Sequence, residues 1–522
     1  MVAIQALEQL LYSIGEKKEH SMKIYEGKIL TVDANDSIAT YLVEDEGRIL
    51  YVGSAIPIEY DKAERVDLGD KVMVPAFVDT HQHFASFATF HAGLNVMEAE
   101  SNEEIMEMIA EFVKRSKDKT LITFGASPYS VKEGRLLSRK ELDKVCPEKP
   151  IMMVKYDGHA CIINTVLLNK LRKKLEPLRG YHPDTGEMNQ EAFFAVSNYI
   201  TNSISIPDLV KNMKNAVHHM TQNGIGMVHS VSGVGFILNA DITMEQWFGK
   251  SLKNGFQLRV FPQSMDIKAA TRRRLPRIGG CFVNALDGCF GSEDAALLEP
   301  YEGTTDDYGV LYYDDKRVVD FCKKANRAGL QIEIHAIGDA AFNQAARAIK
   351  AALDDYPRED HRHGIIHDCM VTEEGLDICS KYHIHMPMQS AFVGWKQEPD
   401  EYLEKILGER ANHLNELRRI WDKGIVISAG SDAPCTDPNP ISWIYKAVNH
   451  STKEQSLTVR EALRMCTYNG AYATFDEKER GSLEAGKVAD FVLLSDSLYE
   501  VEKEKINEIK VVEVYLGGKK VK

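Results

Sequence analysis

The sequence has no apolar run that approaches the roughly 20 residues needed to cross a membrane. It also has no basic leader: the first residues, Met-Val-Ala-Ile-Gln-Ala-Leu-Glu-Gln-Leu-Leu, carry Gln and Glu inside their apolar stretch. A signal peptide would instead place an uninterrupted apolar segment after a positively charged start. We therefore predict an amphipathic helix over residues 1–22 and no membrane partner.

Clusters of basic residues and paired cysteines are missing as well. The chain of 522 residues has a formal net charge of −14, and its basic run Arg272–Arg274 is short. Nucleic acids and anionic membranes are bound by clustered basic residues, so we expect neither as a partner. The nine cysteines are scattered and form no Cys-x-x-Cys motif, which favours reduced, mostly buried thiols and a cytoplasmic protein.

The remaining composition is that of an ordinary enzyme. Hydrophobic residues make up 44% of the chain and charged residues 27%, and no low-complexity tract interrupts it. The chain is long enough for a large barrel with accessory domains, which argues against a small binding module.

Two histidines end an apolar run near residue 80. Residues 74–84 read Val-Pro-Ala-Phe-Val-Asp-Thr-His-Gln-His-Phe, so His81 and His83 follow what should be a buried strand. Alternate side chains of a strand share one face, and two imidazoles on one face can hold one cation. The pair predicts a metal site at the carboxyl end of this strand.

Three later runs of β-branched or apolar residues end in similar groups: His335, His367 and Asp432. In a barrel of parallel strands alternating with helices, residues at the carboxyl ends of the strands converge on one mouth. We therefore predict that these three residues bind metal together with His81 and His83. Imidazoles and a carboxylate suit zinc, and also manganese, iron or nickel.

The chain alternates strand-like and helical segments, the pattern of a barrel or a doubly wound sheet. Counting back from Asp432 gives eight barrel strands, predicted at 74–81, 225–230, 257–263, 281–286, 331–335, 363–367, 384–388 and 425–432. Two strand-like runs, 121–125 and 151–155, are left over. Residues 86–205 are thus predicted to form an α/β insertion after the first barrel strand, and such long connections usually shape the substrate pocket.

Six motifs, spread almost from end to end, carry a family resemblance. They are Pro75–His83, Asp157-Gly-His159, Asp287–Ser292 with Ala295–Tyr301, His335–Ala341, Gly430–Pro434 and Gly481–Leu494. Together they resemble the amidohydrolase superfamily, and within it amidohydrolase family 3, the metal-dependent hydrolases similar to N-substituted formamide deformylase.

The resemblance implies a (β/α)8 barrel, at 74–85 plus 206–474, beside a β-sandwich in which both termini pair, at 23–73 plus 475–522. Neither terminal stretch has enough strands to bury a sheet face alone, which supports the pairing. A small-molecule substrate is implied, and a homodimer is a further expectation.

One metal-binding position departs from the family pattern. Binuclear members carry a lysine on the fourth barrel strand, carboxylated by carbon dioxide, that bridges two metals. Aligned on Asp287-Gly288, that position is Val283, which cannot ligate. Three outcomes are open: one ion held by some of the predicted ligands, a carboxylated Lys155 from the insertion that replaces the missing ligand, or a site without catalysis.

Lys155 closes the apolar run Ile151–Val154, where an ammonium without a partner is costly. It takes the bridging role, or it reaches solvent or pairs with a carboxylate.

Three further residues are candidates for the substrate pocket. In resembling enzymes the Asp-Gly-His motif lies near the substrate, so His159 would donate a hydrogen bond to the scissile carbonyl, or else pack at a turn. His229 ends the second predicted barrel strand and lines the pocket or makes a structural hydrogen bond. Trp395 lies just past a strand end and lines an apolar pocket or packs at a domain interface.

The predicted reaction is hydrolysis of an amide-type, non-peptide carbon–nitrogen bond. A bound divalent cation lowers the pKa of its water to about 7 and so supplies hydroxide at neutral pH. Asp432 is predicted to take the water's proton and pass it to the leaving nitrogen, while the metal and His159 polarise the carbonyl. Two alternatives stay open: deamination of a heterocycle by the same ligands, and a catalytically inactive ligand-sensing protein.

Overall fold

The computed structural model describes residues 22–522. The helix predicted over residues 1–22 lies outside this range, except for Met22, which has no regular secondary structure. Within the described range, no helix has the length and apolar character to cross a membrane.

Strands from both ends of this range form one seven-stranded sheet. In chain order they are β1 Lys23–Leu30, β2 Ile38–Asp45, β3 Arg48–Gly53 and β4 Glu64–Pro75, then β19 Phe491–Leu494, β20 Val511–Leu516 and β21 Lys519–Lys520. The spatial order is β21-β20-β19-β4-β1-β2-β3. The two termini therefore pair, through antiparallel β4 and β19. The hydrogen bonds join these strands into one continuous sheet, and a buried cluster that includes Tyr25, Leu42 and Phe491 packs on it.

Eight strands match the predicted barrel strands closely. They are β5 Phe77–Gln82, β12 Ile225–Ser232, β13 Gln257–Pro262, β14 Arg277–Ala285, β15 Gln331–Ala336, β16 Gly364–His367, β17 Met386–Met388 and β18 Ile427–Ala429. They pair in parallel within the groups β13-β12-β5, β14-β15-β16 and β17-β18. Single parallel bridges, Gly364–His385 and Gln82–Ala433, continue the ring. The result is a TIM-barrel-like α/β fold.

Helices cover the outside of the barrel. They are α1 Phe84–His91, α6 Ile206–Gln222, α7 Ala240–Ser251, α8 Lys268–Thr271, α9 Asp315–Arg327, α10 Asp339–Asp355, α11 Glu373–Tyr382, α12 Asp400–Leu407, α13 Leu417–Asp422, α14 Pro440–Val448, α15 Val459–Met465 and α16 Tyr468–Ala473. Helix α9 shows why such segments are helical. Asp314 caps its first turn by accepting the Arg317 N–H, and Val318, Phe321 and Ala325 form one buried stripe.

The insertion between β5 and β12 has a sheet and helices of its own. Its strands are β6 Leu94–Asn95, β7 Leu121–Ala126, β8 Ile151–Lys155, β9 Ala160–Ile163, β10 Tyr181–His182 and β11 Glu187–Asn189, and its helices are α2 Asn102–Arg115, α3 Arg139–Val145, α4 Thr165–Leu175 and α5 Gln190–Ser203. Barrel loops hold it in place: Gln397 Nε2 donates to the Met97 carbonyl at 2.9 Å, and Tyr129 Oη donates to the Gly291 carbonyl at 2.7 Å. These contacts set the insertion against the mouth of the barrel.

Asn164 generates a prediction about the stability of the insertion. Its buried amide donates to the Cys146 and Lys149 carbonyls, both at 2.8 Å, and its Oδ1 accepts the N–H groups of Ile151 and Leu167. We expect Asn164→Leu to lower the free energy of unfolding in urea by about 2–4 kcal/mol, because these four backbone groups lose their partner.

The control is Asn169→Ala, at an exposed position of α4, the helix that Asn164 caps. Its free energy of unfolding should stay within about 0.5 kcal/mol of the wild-type value. Equal unfolding midpoints for the two variants would contradict the assignment.

Candidate metal centre

Six potential metal-binding side chains converge at the carboxyl ends of the barrel strands. Cys281 Sγ lies 3.2 Å from His81 Nε2, 3.3 Å from His367 Nε2 and 3.4 Å from His335 Nδ1. On the other side of His81, Asp432 Oδ1 lies 3.2 Å from the Nε2 atoms of both His81 and His83. The five predicted ligands are thus close together, and a cysteine lies among them.

The strand ends explain this convergence. His81, Cys281, His335 and His367 belong to β5, β14, β15 and β16, whose carboxyl ends meet at one mouth. Asp432 comes just after β18, and its backbone N–H donates to the His81 carbonyl at 2.8 Å. This hydrogen bond brings the last barrel strand to the first.

Second hydrogen bonds orient two of the imidazoles. His367 Nδ1 lies 2.6 Å from Gln389 Oε1, so it carries the proton and leaves Nε2 free toward Cys281. His335 Nε2 lies 3.2 Å from the Gly288 carbonyl, which leaves Nδ1 free toward the same sulfur. A metal-binding histidine commonly donates its other N–H in this way.

Asp287 holds the loop that supplies the Gly288 carbonyl. Its carboxylate accepts the backbone N–H groups of Ala296, Ile337 and Gly338 at 2.8–3.0 Å. The Asp-Gly motif noted in the sequence therefore positions His335 without entering the ligand cluster.

Burial controls the charges of these groups. It lowers the pKa of His83 and holds the pKa of His367 well below its usual value, so both imidazoles are neutral and can offer a lone pair. Burial alone would raise the pKa of Asp432, but the neighbouring His81 and His83 outweigh it and keep that pKa well below normal. The low pKa of Asp432 favours its carboxylate form beside these imidazoles.

The donor set fits a metal centre. Two groups of three ligand atoms, His81-His83-Cys281 and Cys281-His335-His367, each lie within 4.8 Å of one another and share the sulfur. Asp432 Oδ1 is buried and makes no hydrogen bond within the described residues. Its neighbours are the Nε2 atoms of His81 and His83 at 3.2 Å, and a buried carboxylate oxygen among imidazole nitrogens suits a cation bound by all three. A thiolate shared between two histidine pairs can serve one ion or bridge two.

Cys281 corrects the alignment that pointed to Val283. β14 and β15 pair regularly as far as Gly280 with Ile334, and then Ala285 pairs with His335. Residues 281–284 have no counterpart on β15, so counting back from Asp287 along a regular strand gives the wrong position. Val283 is 37% exposed, away from the ligands. A cysteine directly after Gly279-Gly280, within the fourth barrel strand, was the available signal, because thiolates are strong ligands for zinc.

Lys155 pairs with a carboxylate of the insertion. Its Nζ lies 2.8 Å from Asp157 Oδ2 and donates to the Gly291 carbonyl at 3.0 Å. Burial alone would favour a neutral amine, but Asp157 keeps the pKa of Lys155 above its usual value. A carbamate is an anion, and the Asp157 carboxylate would repel it at this distance. Lys155 is therefore a paired ammonium, the alternative that the sequence left open.

His159 lies in the predicted pocket. It lines a cavity of about 1750 Å³ whose floor includes His83, Cys281 and Asp432. Its Nδ1 is buried and has no hydrogen-bond partner among the described residues, so it can bind a ligand.

His229 and Trp395 lie outside the cavity lining, and their contacts fit the structural alternatives that the sequence left open. β12 continues to Ser232, so His229 lies below the mouth, where its Nε2 is 3.0 Å from Thr474 Oγ1. Trp395 stacks on Phe392 at 4.8 Å and meets the Tyr156 ring edge-on at 5.1 Å. Neither residue lines the cavity over the metal ligands. His229 makes a structural hydrogen bond, and Trp395 packs the insertion against a barrel loop.

Comparison with known proteins identifies the family of the chain. The model of the amidohydrolase family matches residues 64–522. The chain belongs to the amidohydrolase family. Two relatives of this amidohydrolase are "Protein LONG AFTER FAR-RED 3" of Arabidopsis thaliana, 25% identical over 95% of this chain and 90% of the relative, and "N-substituted formamide deformylase" of Arthrobacter pascens, 24% identical over 95% and 97%.

A solved structure shares the fold. An uncharacterized metal-dependent hydrolase from Pyrococcus horikoshii superposes with a TM-score of 0.74 at 23% identity, covering 92% of this chain and 99% of that one. The family supports a hydrolase, as the sequence motifs predicted, and this neighbour shows that the fold is shared.

Cys281 generates a prediction about metal content. We expect Cys281→Ser, purified in parallel with the wild type, to contain at most half as much bound divalent metal as the wild type. The reason is that the sulfur is the donor common to both histidine pairs. Elemental analysis of the purified proteins measures this.

Cys435→Ser is the matched control, since Cys435 also lines the cavity but belongs to none of the ligand groups found among the described residues. Unchanged metal content in Cys281→Ser would exclude the sulfur as a ligand.

Proposed function

We propose that this amidohydrolase cleaves an amide-type, non-peptide carbon–nitrogen bond in a small molecule. The observation that carries the proposal is the convergence of Cys281, four histidines and Asp432, all of which except His81 line one cavity. The formamide deformylase among the relatives supports this bond type. The cavity has a volume of about 1750 Å³, large enough for a substrate, and five of the six candidate ligands line it: His83, Cys281, His335, His367 and Asp432.

His81, His83, Cys281, His335, His367 and Asp432 would hold the metal. A thiolate with imidazoles favours zinc over magnesium or manganese. When bound, the ion supplies a Lewis acid and lowers the pKa of water at the site. Burial raises the pKa of the Cys281 thiol well above its usual value, so the sulfur requires a cation to become a thiolate.

Asp432 is the group that moves the proton. It is ionised, lies in the cavity floor, and has an oxygen without a hydrogen bond among the described residues. A carboxylate so placed can accept a proton from the attacking water and deliver it to the leaving nitrogen. The cleft wall supplies the second polar group: His159 can donate from Nδ1 to the substrate carbonyl as charge develops on its oxygen.

A substrate panel tests the bond type. With metal-loaded protein we expect carboxylate release from simple amides, including N-substituted formamides, and no ammonia release from purines, pyrimidines or related rings. Product analysis by chromatography and an ammonia assay distinguishes the two reactions. If a heterocycle releases ammonia and no amide is hydrolysed, deamination replaces this proposal. If neither panel is turned over, a ligand-sensing protein is favoured.

Asp432→Asn tests the proton transfer. The five other ligands remain, so we expect most of the metal to stay bound while kcat for an amide falls by about 10²–10⁴-fold, because the amide side chain cannot accept the proton. Metal content and kcat are measured on the same preparation.

The control is Asp437→Asn. Asp437 lies in the same loop as Asp432, is exposed and pairs with His219, so this variant should keep normal turnover. Near-normal kcat in metal-loaded Asp432→Asn would remove Asp432 from this role.

A further inference from the structure

The cavity over the metal ligands has an exposed apolar wall. Five large side chains that line it are 36–50% exposed: Phe194, Val283, Val310, Leu311 and Tyr312. They come from three separate segments, and Tyr313 Oη joins two of these by donating to the Val283 carbonyl at 2.9 Å. A contiguous exposed apolar patch inside a cavity marks a binding surface.

Phe282 connects this wall to the ligand cluster. It directly follows Cys281, and its ring centroid lies 5.1 Å from that of His83, 5.6 Å from that of His159 and 6.2 Å from that of Phe194. Its backbone has φ = 49°, a left-handed conformation that is costly for a bulky residue. A phenyl ring kept in a strained conformation beside the ligands points to a role for that ring.

The cations that line the cavity already have partners. Among the described residues these are Arg135, Lys155 and Arg179, which pair with Glu141 at 2.8 Å, Asp157 at 2.8 Å and Glu191 at 3.1 Å. An anionic group on a substrate would therefore meet no unpaired guanidinium or ammonium there. Binding it would mean separating an ion pair or burying an uncompensated charge.

We propose that the substrate is a neutral amide whose bulky apolar group, aromatic or branched alkyl, packs on Phe282 and the exposed apolar wall. This inference rests on the proposed function and narrows its substrate class. N-acyl amino acids and other carboxylate-bearing amides are poor substrates, because the wall is apolar and its cations are neutralised. Small polar amides do not displace water from the apolar wall and therefore gain little binding free energy from it.

The first experiment compares matched probes on the metal-loaded full chain. N-benzylformamide is the bulky neutral probe, N-methylformamide the small one and N-formylphenylalanine the anionic one, with phenylacetamide carrying the ring on the acyl side. We expect kcat/KM for the better of the two neutral ring-bearing probes to exceed that for the small and the anionic probe by about tenfold or more. Hydrolysis with equal or reversed preference overturns this inference and leaves the proposed function standing.

The second experiment measures equilibrium binding, which does not need turnover. Leu311→Asp places a charge on the wall and should weaken calorimetric binding of N-benzylformamide about tenfold, while Leu298→Asp should not. Leu298 is the matched control, because it is 53% exposed in the preceding loop and does not line the cavity. Circular dichroism checks that both variants are folded.

The two experiments separate the two proposals. Binding of N-benzylformamide that depends on Leu311, without hydrolysis of any amide, overturns the proposed function and supports the apolar wall. Equal binding by Leu311→Asp and Leu298→Asp overturns the apolar wall whether or not amides are cleaved.

Discussion

The site depends on one close approach, that of the Cys281 sulfur to imidazoles from three different strands at 3.2–3.4 Å. It requires residues 281–284 to leave the regular ladder between β14 and β15. Gly279, immediately before this departure, has φ = 126°, and a Cβ there would lie 1.8 Å from the Glu333 carbonyl oxygen. Only glycine allows β14 to pass so close to β15 before it turns inward.

The electrostatics of the ligand cluster follow from that burial. Packing several polar groups into a dry space would be unfavourable if they carried like charges, and here burial lowers the pKa of His83 and His367 while the pKa of Asp432 stays well below its usual value. Without a cation, burying a neutral thiol and a carboxylate beside four imidazoles is energetically unfavourable. With a cation, the same atoms become complementary ligands, and the hydrogen bonds from His335 and His367 to Gly288 and Gln389 fix the ring orientations in advance.

Much of this arrangement could be predicted from the sequence, because strand ends are visible in it. His81, His335, His367 and Asp432 each close an apolar run, and in a parallel barrel that position alone places them at the mouth. The other placements depend on details that periodicity does not encode. The bulge brings Cys281, and not Val283, among the candidate ligands, and the turn after Lys155 brings Asp157 back against its ammonium. β12 extends three residues beyond His229, which places that imidazole below the mouth.

The bulge also couples metal binding to the shape of the pocket. Where it directs Cys281 into the cluster, the next two residues must face elsewhere, and Phe282 and Val283 line the cavity. The fourth strand therefore supplies a ligand and part of the pocket wall from consecutive positions. A regular strand that carried its ligand at 283 would remove the reason for the strained φ of Phe282 and would change the floor of the pocket beside His83 and His159. In this protein the bulge at residues 281–284 both directs Cys281 toward the candidate ligands and places the Phe282 ring in the floor of the pocket.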